Sequence, residues 1–468
     1  MLIPQNRLLL VVAVLVVPLA ALAGLLPFLA GGFALAGIAL VAVAALLDAG
    51  LGLARAGRGV EWSLPEVVRL SKGRAGTVPV VVRNTRPGAP ARRLRVGLGW
   101  PERIHTSTPE RLLPLASGVE RTRFEWPCTG RRRGRYPVTR AYFEEASPLG
   151  LWAVRRSAPV ACELRVYPDL RADRRQAAVF LHRGGLGSHA LRQVGRGRDF
   201  EKLRDYVPGD SIEDISWKAT ARRQRPVSKT FQIERTQEVY VLVDASRLSA
   251  RPARDIPEGD PAAGDEGPDT APDGVPTTLE RYLSCALLLC LAAERQGDLF
   301  GLGSFTDGVR SFLRAKNGAA HFDACRETIY ALEPAMVSPD FDELCTFLRL
   351  RLRRRALLVV LTSSLDDPTL AEAFVKAVER VGRQHVVLVN CLRPPGAVPL
   401  FEDADRGAAV RTTDDVYHRL GGHLRWQKLR ETENRLRRLG VGFHLLDDKR
   451  MAEQLVTQYL NVKRRQVI

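Results

Sequence analysis

Residues Glu238–Ser246 read EVYVLVDAS, five apolar side chains in a row followed by an acid and a small hydroxyl residue. The run does not alternate, so both of its faces are expected to be buried, as in a parallel strand covered by helices on each side. Thr277–Asp298 (TTLERYLSCALLLCLAAERQGD) has helical periodicity behind a threonine cap. LFGLGSF (299–305) and GVRSFL (308–313) read as strands, in part as a hairpin. FDELCTFLRLRLRRR (341–355) reads as a helix, and ALLVVLTS (356–363) and QHVVLVNC (384–391) as buried strands. A helix over about 413–439, a strand within GVGFHLLD (440–447) and a helix over about 449–463 complete the pattern. Strands alternating with helices predict a doubly wound α/β domain over 237–468. Such sheets bind ligands at the carboxyl ends of their strands, where this one offers Asp244-Ala245-Ser246. No GxGxxG or Walker A loop follows any strand, which argues against a dinucleotide or nucleoside triphosphate enzyme.

Upstream lies GRGRDFEKLRDYVPGDSIEDISWKATARRQRPVSKTFQIER (195–235), with acids and bases interleaved around aromatic residues. Exposed ion pairs contribute only about 0–1 kcal/mol each, so pairing alone does not account for this density. Two readings stand: a docking surface, or an internal network whose aromatics anchor the segment to a core. The interaction candidates are Phe200, Leu203, Arg204, Tyr206, Gly209, Asp210, Trp217, Lys218, Arg222 and Arg223. DFEKLRDYVPGD (199–210), Trp217-Lys218-Ala219 within ISWKATARR (215–223) and SKTFQIER (228–235) resemble the bacterial domain of unknown function 58 family. SPLGLW (147–152) is similar to that family's DPFGLF. Glu213 stands where the family usually has arginine, and Ser216 where it has aspartate.

The end of the first strand resembles the first loop of a von Willebrand factor A domain. There a DxSxS loop, a distant threonine and a distant aspartate hold a divalent ion, and the ion accepts a partner's carboxylate. Asp244 and Ser246 match; Leu248 takes the second serine position, with Ser249 one residue late. The threonine position falls near Ser338, and the second aspartate position at Ser363, before Asp366 and Asp367. The resemblance implies a degenerate site for Mg²⁺ or another divalent cation at Asp244, Ser246 and Ser338. The alternative is structural: Asp244 and Ser246 hydrogen-bond the loops beside the strand ends.

Residues 8–47 carry no charge, enough for two membrane-crossing lengths broken at Pro27 and Gly31-Gly32. A helical hairpin over about 8–26 and 32–48, within residues 1–50, is expected. Arg7 before it and Arg55 and Arg58 after it place both ends, and all that follows, on the cytosolic side of the cytoplasmic membrane. Short β-prone runs over 59–170 predict a β-sandwich-like domain. Residues 171–236 read as a linker and the signature segment, and the Pro/Gly/Asp-rich 250–276 as a disordered acidic insertion. Seven cysteines without a CxxC pair fit a reducing compartment.

The net charge of +18 attracts anions, yet no arginine–aromatic stripe or zinc-finger spacing marks a nucleic-acid reader. The leading expectation is a non-enzymatic interaction or adaptor protein; the family resemblance implies a MoxR-type AAA+ ATPase as partner. The alternatives are a metal-assisted hydrolase using acids such as Asp199, Glu201, Asp205 and Asp210, and a basic membrane-proximal nucleic-acid binder.

Overall fold

A computed structural model describes the chain except residues 26–30, 86–90, 172–193, 196–198, 208–211, 213–214, 233–236, 254–274, 401–411 and 466–468. Most of the expected linker and acidic insertion therefore lies outside the described residues. The chain divides into two units, Met1–Pro168 and Asp169–Ile468.

The first unit begins with β1 (Leu2–Pro4) and the apolar helices α1 (Asn6–Val11) and α2 (Val17–Leu25), joined by a π-helical turn at Val12–Val16. Then comes α3 (Gly31–Arg55), whose stretch Gly32–Arg55 has the length and hydropathy of a membrane span. Strands β2 (Val60–Ser63), β3 (Val67–Ser71), β4 (Ala75–Asn84), β5 (Arg92–Leu98), β6 (Ile104–His105), β7 (Glu110–Leu115), β8 (Arg121–Gly130), β9 (Gly134–Ala146) and β10 (Trp152–Tyr167) follow. They form a sheet of order β1-β10-β9-β5-β7, with β3 also on β10, and a second sheet β2-β4-β8-β6. Alternation along β4 sends Val78, Val80 and Val82 into one apolar core shared with Leu94, Trp126 and Leu164. Trp152–Tyr167 is one long strand, which absorbs its proline in an irregularity between Pro159 and Cys162.

Helix α3 runs seven residues past the expected end at 48, because the β-rich part of the unit holds it there. Asp48 is 1% exposed. Its carboxylate accepts from Ser147 Oγ (2.5 Å), Leu149 N (2.9 Å) and Leu151 N (3.3 Å), all from the SPLGLW turn. Trp152 Nε1 donates to Ala45 O (2.9 Å). Gly52 lets the helix close in, since a Cβ there would lie 3.1 Å from Ser147 Cβ. Asp48→Ala strands three donors and is expected to destabilise this junction by about 2–4 kcal/mol, with Asp48→Asn recovering part. Hydrogen exchange of residues 147–154 in the full chain measures it; unchanged protection in the alanine variant would mean the clasp contributes nothing.

The second unit opens with a three-stranded sheet, β11 (Val194–Gly195), β13 (Val227–Gln232) and β12 (Asp199–Asp205) in that order across it, and the short helix α4 (Trp217–Arg223). The main sheet is β14 (Glu238–Asp244), β15 (Leu299–Phe305), β16 (Val309–Lys316), β17 (Leu357–Leu361), β18 (Val386–Leu392) and β19 (Gly442–Leu446), ordered β16-β15-β14-β17-β18-β19. Every pairing is parallel except β15 with β16, the expected hairpin. One face carries α5 (Thr278–Arg295), α6 (Ala319–Ile329) and, last in the chain, the helix Met451–Arg464; the other carries α7 (Phe341–Arg351), α8 (Pro368–Gly382) and α9 (Thr413–Arg438). We call Met451–Arg464 α10. Thr277 and Glu280 form a capping box that starts α5. Gly301 and Gly303 in β15 make room for β14: a Cβ at 301 would sit 2.3 Å from the Tyr240 ring.

At the amino ends of the strands, His385 is buried and its Nδ1 accepts from Ala356 N (3.3 Å). Burial, then the Arg355 charge, lowers its pKa below the ordinary value. The unfolded chain therefore binds this proton more readily. Stability is full above the ordinary histidine value of about 6.5 and declines as pH falls through it toward the lowered folded value. Denaturant midpoints between pH 7.5 and 5 should fall, and His385→Gln should flatten the decline; an equal slope in the variant would refute this assignment.

Candidate functional site

The strand order places a switch point between β14 and β17. From β14 the chain leaves through α5 on one face, and from β17 through α8 on the other, the arrangement in which open α/β sheets place a ligand crevice beyond the strands' carboxyl ends. Asp244 ends β14 at this point and has no exposed surface. Its Oδ1 accepts from Ser246 N (2.9 Å). Its Oδ2 accepts from Thr362 Oγ1 (2.6 Å) and Ser364 Oγ (2.8 Å). Ser364 N donates to Thr362 Oγ1 (3.2 Å), and the Ser246 and Ser364 hydroxyls lie 3.4 Å apart. Tyr282 of α5 donates to Thr362 O (2.8 Å) and accepts from Leu392 N (3.0 Å), tying β17, β18 and α5 together. Burial raises the Tyr282 hydroxyl pKa well above its ordinary value.

Three loops close over this group. Ala335 N donates to Ala245 O (2.8 Å), Arg247 N to Val337 O (3.0 Å), and Arg251 pairs with Asp366 (2.9 Å). Outside them is a charged rim. Asp307 is exposed there, its pKa lowered by the Thr306 hydroxyl and then by Arg310. Met336 is 73% exposed on the same loop that covers Ala245.

An open divalent-cation site needs several oxygen ligands and a position a partner can reach. This group has one carboxylate, both of whose oxygens already accept hydrogen bonds. Asp244, Ser246, Thr362 and Ser364 are all at 0% exposure. Ser338 is exposed, and Ser249 is buried with its hydroxyl on Ser246 O (2.7 Å). Among the described residues no three His, Cys, Asp or Glu side chains gather into a metal site. The donor set does not fit an open cation site. It fits the structural alternative, a carboxylate that fastens the loops.

Sequence reasoning singled out Asp244 and Ser246 but missed Thr362, Ser364 and Tyr282. The signal was LTSS (361–364), a hydroxyl cluster at the end of an apolar strand.

The signature residues lie elsewhere in the unit. Phe200, Leu203 and Arg204 are on β12, and Tyr206 follows it, half-buried, with its N–H on Pro226 O (3.0 Å). Gly209 and Asp210 lie outside the described residues. Trp217, Lys218, Arg222 and Arg223 are exposed on α4, Trp217 by 68%. Of the two readings, docking surface or internal anchor, the exposure of Trp217 fits the first. Ser216 N donates to Val227 O (2.8 Å), and Val227 N to the Thr220 hydroxyl (3.1 Å), which ties α4 to β13. The charged pair seen here, Arg225 with Asp205 at 3.0 Å, is exposed rather than buried.

A family model described as protein of unknown function DUF58 matches residues 202–253 and 277–398. Its gap coincides with most of the acidic insertion. No curated protein matches. Similar solved structures include an aerotolerance-related membrane protein from Bacteroides fragilis NCTC 9343 with multiple mutations to serines, at 13% identity over 48% of this chain and 98% of that one, TM-score 0.28. The SpRpn10 VWA domain is matched at 10% identity over 48% of this chain and 95% of that one, TM-score 0.26. Over those residues the chain is similar to the domain of unknown function 58 family that the signature residues resemble.

Proposed function

We propose that this chain is a membrane-anchored, non-enzymatic interaction protein that offers the carboxyl-end rim of its α/β sheet to a protein partner. The observation that carries this reading is the closed switch point. Where α/β enzymes keep a cofactor or catalytic groups, this chain places Asp244 with both carboxylate oxygens bonded by its own loops. What remains outward is a surface of loops, charges and the exposed Met336, a composition suited to docking rather than to turnover. The expected partner, from the family resemblance, is a MoxR-type AAA+ ATPase.

The anchor reading is a helical hairpin in the cytoplasmic membrane, with the soluble units on the cytosolic side. Two contacts support it. Residues 2–4, before the first apolar helix, pair with β10. The end of α3 is clasped by the turn that precedes β10. Both ends of the apolar region thus meet the same β-rich body, which favours a hairpin over a single crossing. Arg7, Arg55 and Arg58 favour the cytosolic side.

The test is affinity capture of the tagged full chain from detergent-solubilised membranes of its own source, with Mg²⁺-ATP and with EDTA. An AAA+ ATPase should be recovered in both conditions and lost with Met336→Asp. Absence of any AAA+ protein in both would refute the partner assignment.

A further inference from the structure

The membrane-facing end of the first unit carries an arrangement that the adaptor reading leaves unused. Counting from Gly31, the uncharged part of α3 ends at Leu47, a length of about 26 Å, close to the hydrocarbon thickness. Asp48 and the turn that clasps it are therefore level with the boundary between acyl chains and headgroups. Four exposed arginines lie at this level or just beyond it: Arg7, Arg55, Arg58 and Arg156. Contacts locate three of them. The Arg7 guanidinium lies against Gly150 of the turn, where a Cβ would be 3.1 Å from Nη1. Arg156 Nη2 donates to Leu53 O (2.6 Å). Arg58 holds its carbonyl toward Arg92.

The acids nearby are already engaged: Asp48 by the turn, Glu144 by Arg155 (2.9 Å), and Glu145 by Gly57 N (3.2 Å) and Arg92. Next to the Gly150 that Arg7 touches, Leu149 projects from the tip of the turn, 58% exposed, and the half-buried Trp152 indole is pinned to α3. Arginines around an exposed leucine and a boundary tryptophan are the composition of a surface that meets lipid headgroups.

We infer that this face is a binding plate for anionic phospholipid headgroups, with phosphates received by Arg7, Arg55, Arg58 and Arg156 and the Leu149 side chain inserted beside them. Continuity with the apolar helices selects lipid over a soluble anion. The inference rests on the membrane-anchor reading. The plate would hold the β-rich body flat on the bilayer, because the turn that presents Leu149 is the one that clasps Asp48.

The test uses the full chain, solubilised in mild detergent and offered an equimolar mixture of phosphatidylglycerol and phosphatidylcholine. Retained lipid is counted by mass spectrometry. Phosphatidylglycerol should be enriched by about twofold or more, and the enrichment should vanish near 1 M salt. R7Q/R55Q/R58Q/R156Q should return the offered ratio. Leu149→Asp, which alters one exposed side chain and no hydrogen bond of the clasp, should lower the enrichment even if the quadruple variant does not fold. An offered ratio in the unaltered chain overturns the proposal. So does enrichment unchanged in both variants, or abolished by 10 mM inorganic phosphate, which would mark a soluble-phosphate site. A chain recovered in the aqueous fraction without detergent refutes the anchor itself; a membrane-bound chain with unbiased lipid refutes only the plate.

Discussion

Asp244→Ala is expected to destabilise the α/β unit by about 3–5 kcal/mol, because it leaves the Thr362 and Ser364 hydroxyls and the Ser246 amide without their acceptor. None of these groups can turn to water, since each residue is at 0% exposure. Asp244→Asn keeps the shape and one acceptor oxygen. Serine and threonine hydroxyls both donate and accept, so they can reverse toward the new amide, and the cost should drop to about 1–2 kcal/mol. Hydrogen exchange of peptides from β14 and β17 in the full chain reads the effect, with β4 and β8 of the first unit as internal reference. Mg²⁺ or EDTA should leave the protection of the unaltered chain where it is. If Asp244→Ala kept full protection yet lost partner capture, the carboxylate would be a ligand group and the loop-fastening account would fail.

The strand that carries Asp244 was legible in the sequence, because five apolar residues without alternation leave no face for water. The hairpin after it was legible too. What surrounds the carboxylate was not: Thr362 and Ser364 lie 118 and 120 residues away, and no local pattern reports a bond across the sheet. LTSS reads as a polar strand end whether or not an acid waits opposite. For Trp217 the charged segment left two readings open, docking surface or core anchor, and no local pattern reports the 68% exposure that its side chain has on α4. Asp48 ends the uncharged run and reads as the boundary of a helix. Its partner motif, SPLGLW, was legible as a motif, but the hydrogen bonds between the two span about a hundred residues.

A second buried carboxylate sets the other large expectation. Asp298 precedes β15 and is 1% exposed. Its Oδ1 accepts from Gln237 N (3.2 Å), and its Oδ2 from the Tyr459 hydroxyl and from Lys463 Nζ (2.9 Å), while Lys463 also reaches Gln296 O (2.8 Å). Burial, then the Asp298 charge, raises the Tyr459 pKa above its ordinary value, so that hydroxyl remains a donor throughout the physiological range. These bonds join α10 to the amino ends of β14 and β15. Asp298→Ala strands an ammonium, a hydroxyl and an amide, and should cost about 3–5 kcal/mol. The side chain of Lys463 is 27% exposed and can swing partly to water, which favours the lower half of that range. Tyr459→Phe should cost about 1–2 kcal/mol. Adding Lys463→Met to Asp298→Ala should cost less than the two separate losses combined, because no charge is then left unpaired. Protection of α10 peptides, followed by hydrogen exchange, reports all three, and additive losses in the double variant would exclude an ion-pair role. Because Asp298 lies at the end of the sheet opposite the rim, its variants should weaken the fold while the surviving folded molecules still capture partner. Loss of capture in proportion beyond the loss of fold would place the partner surface at the wrong end of the sheet.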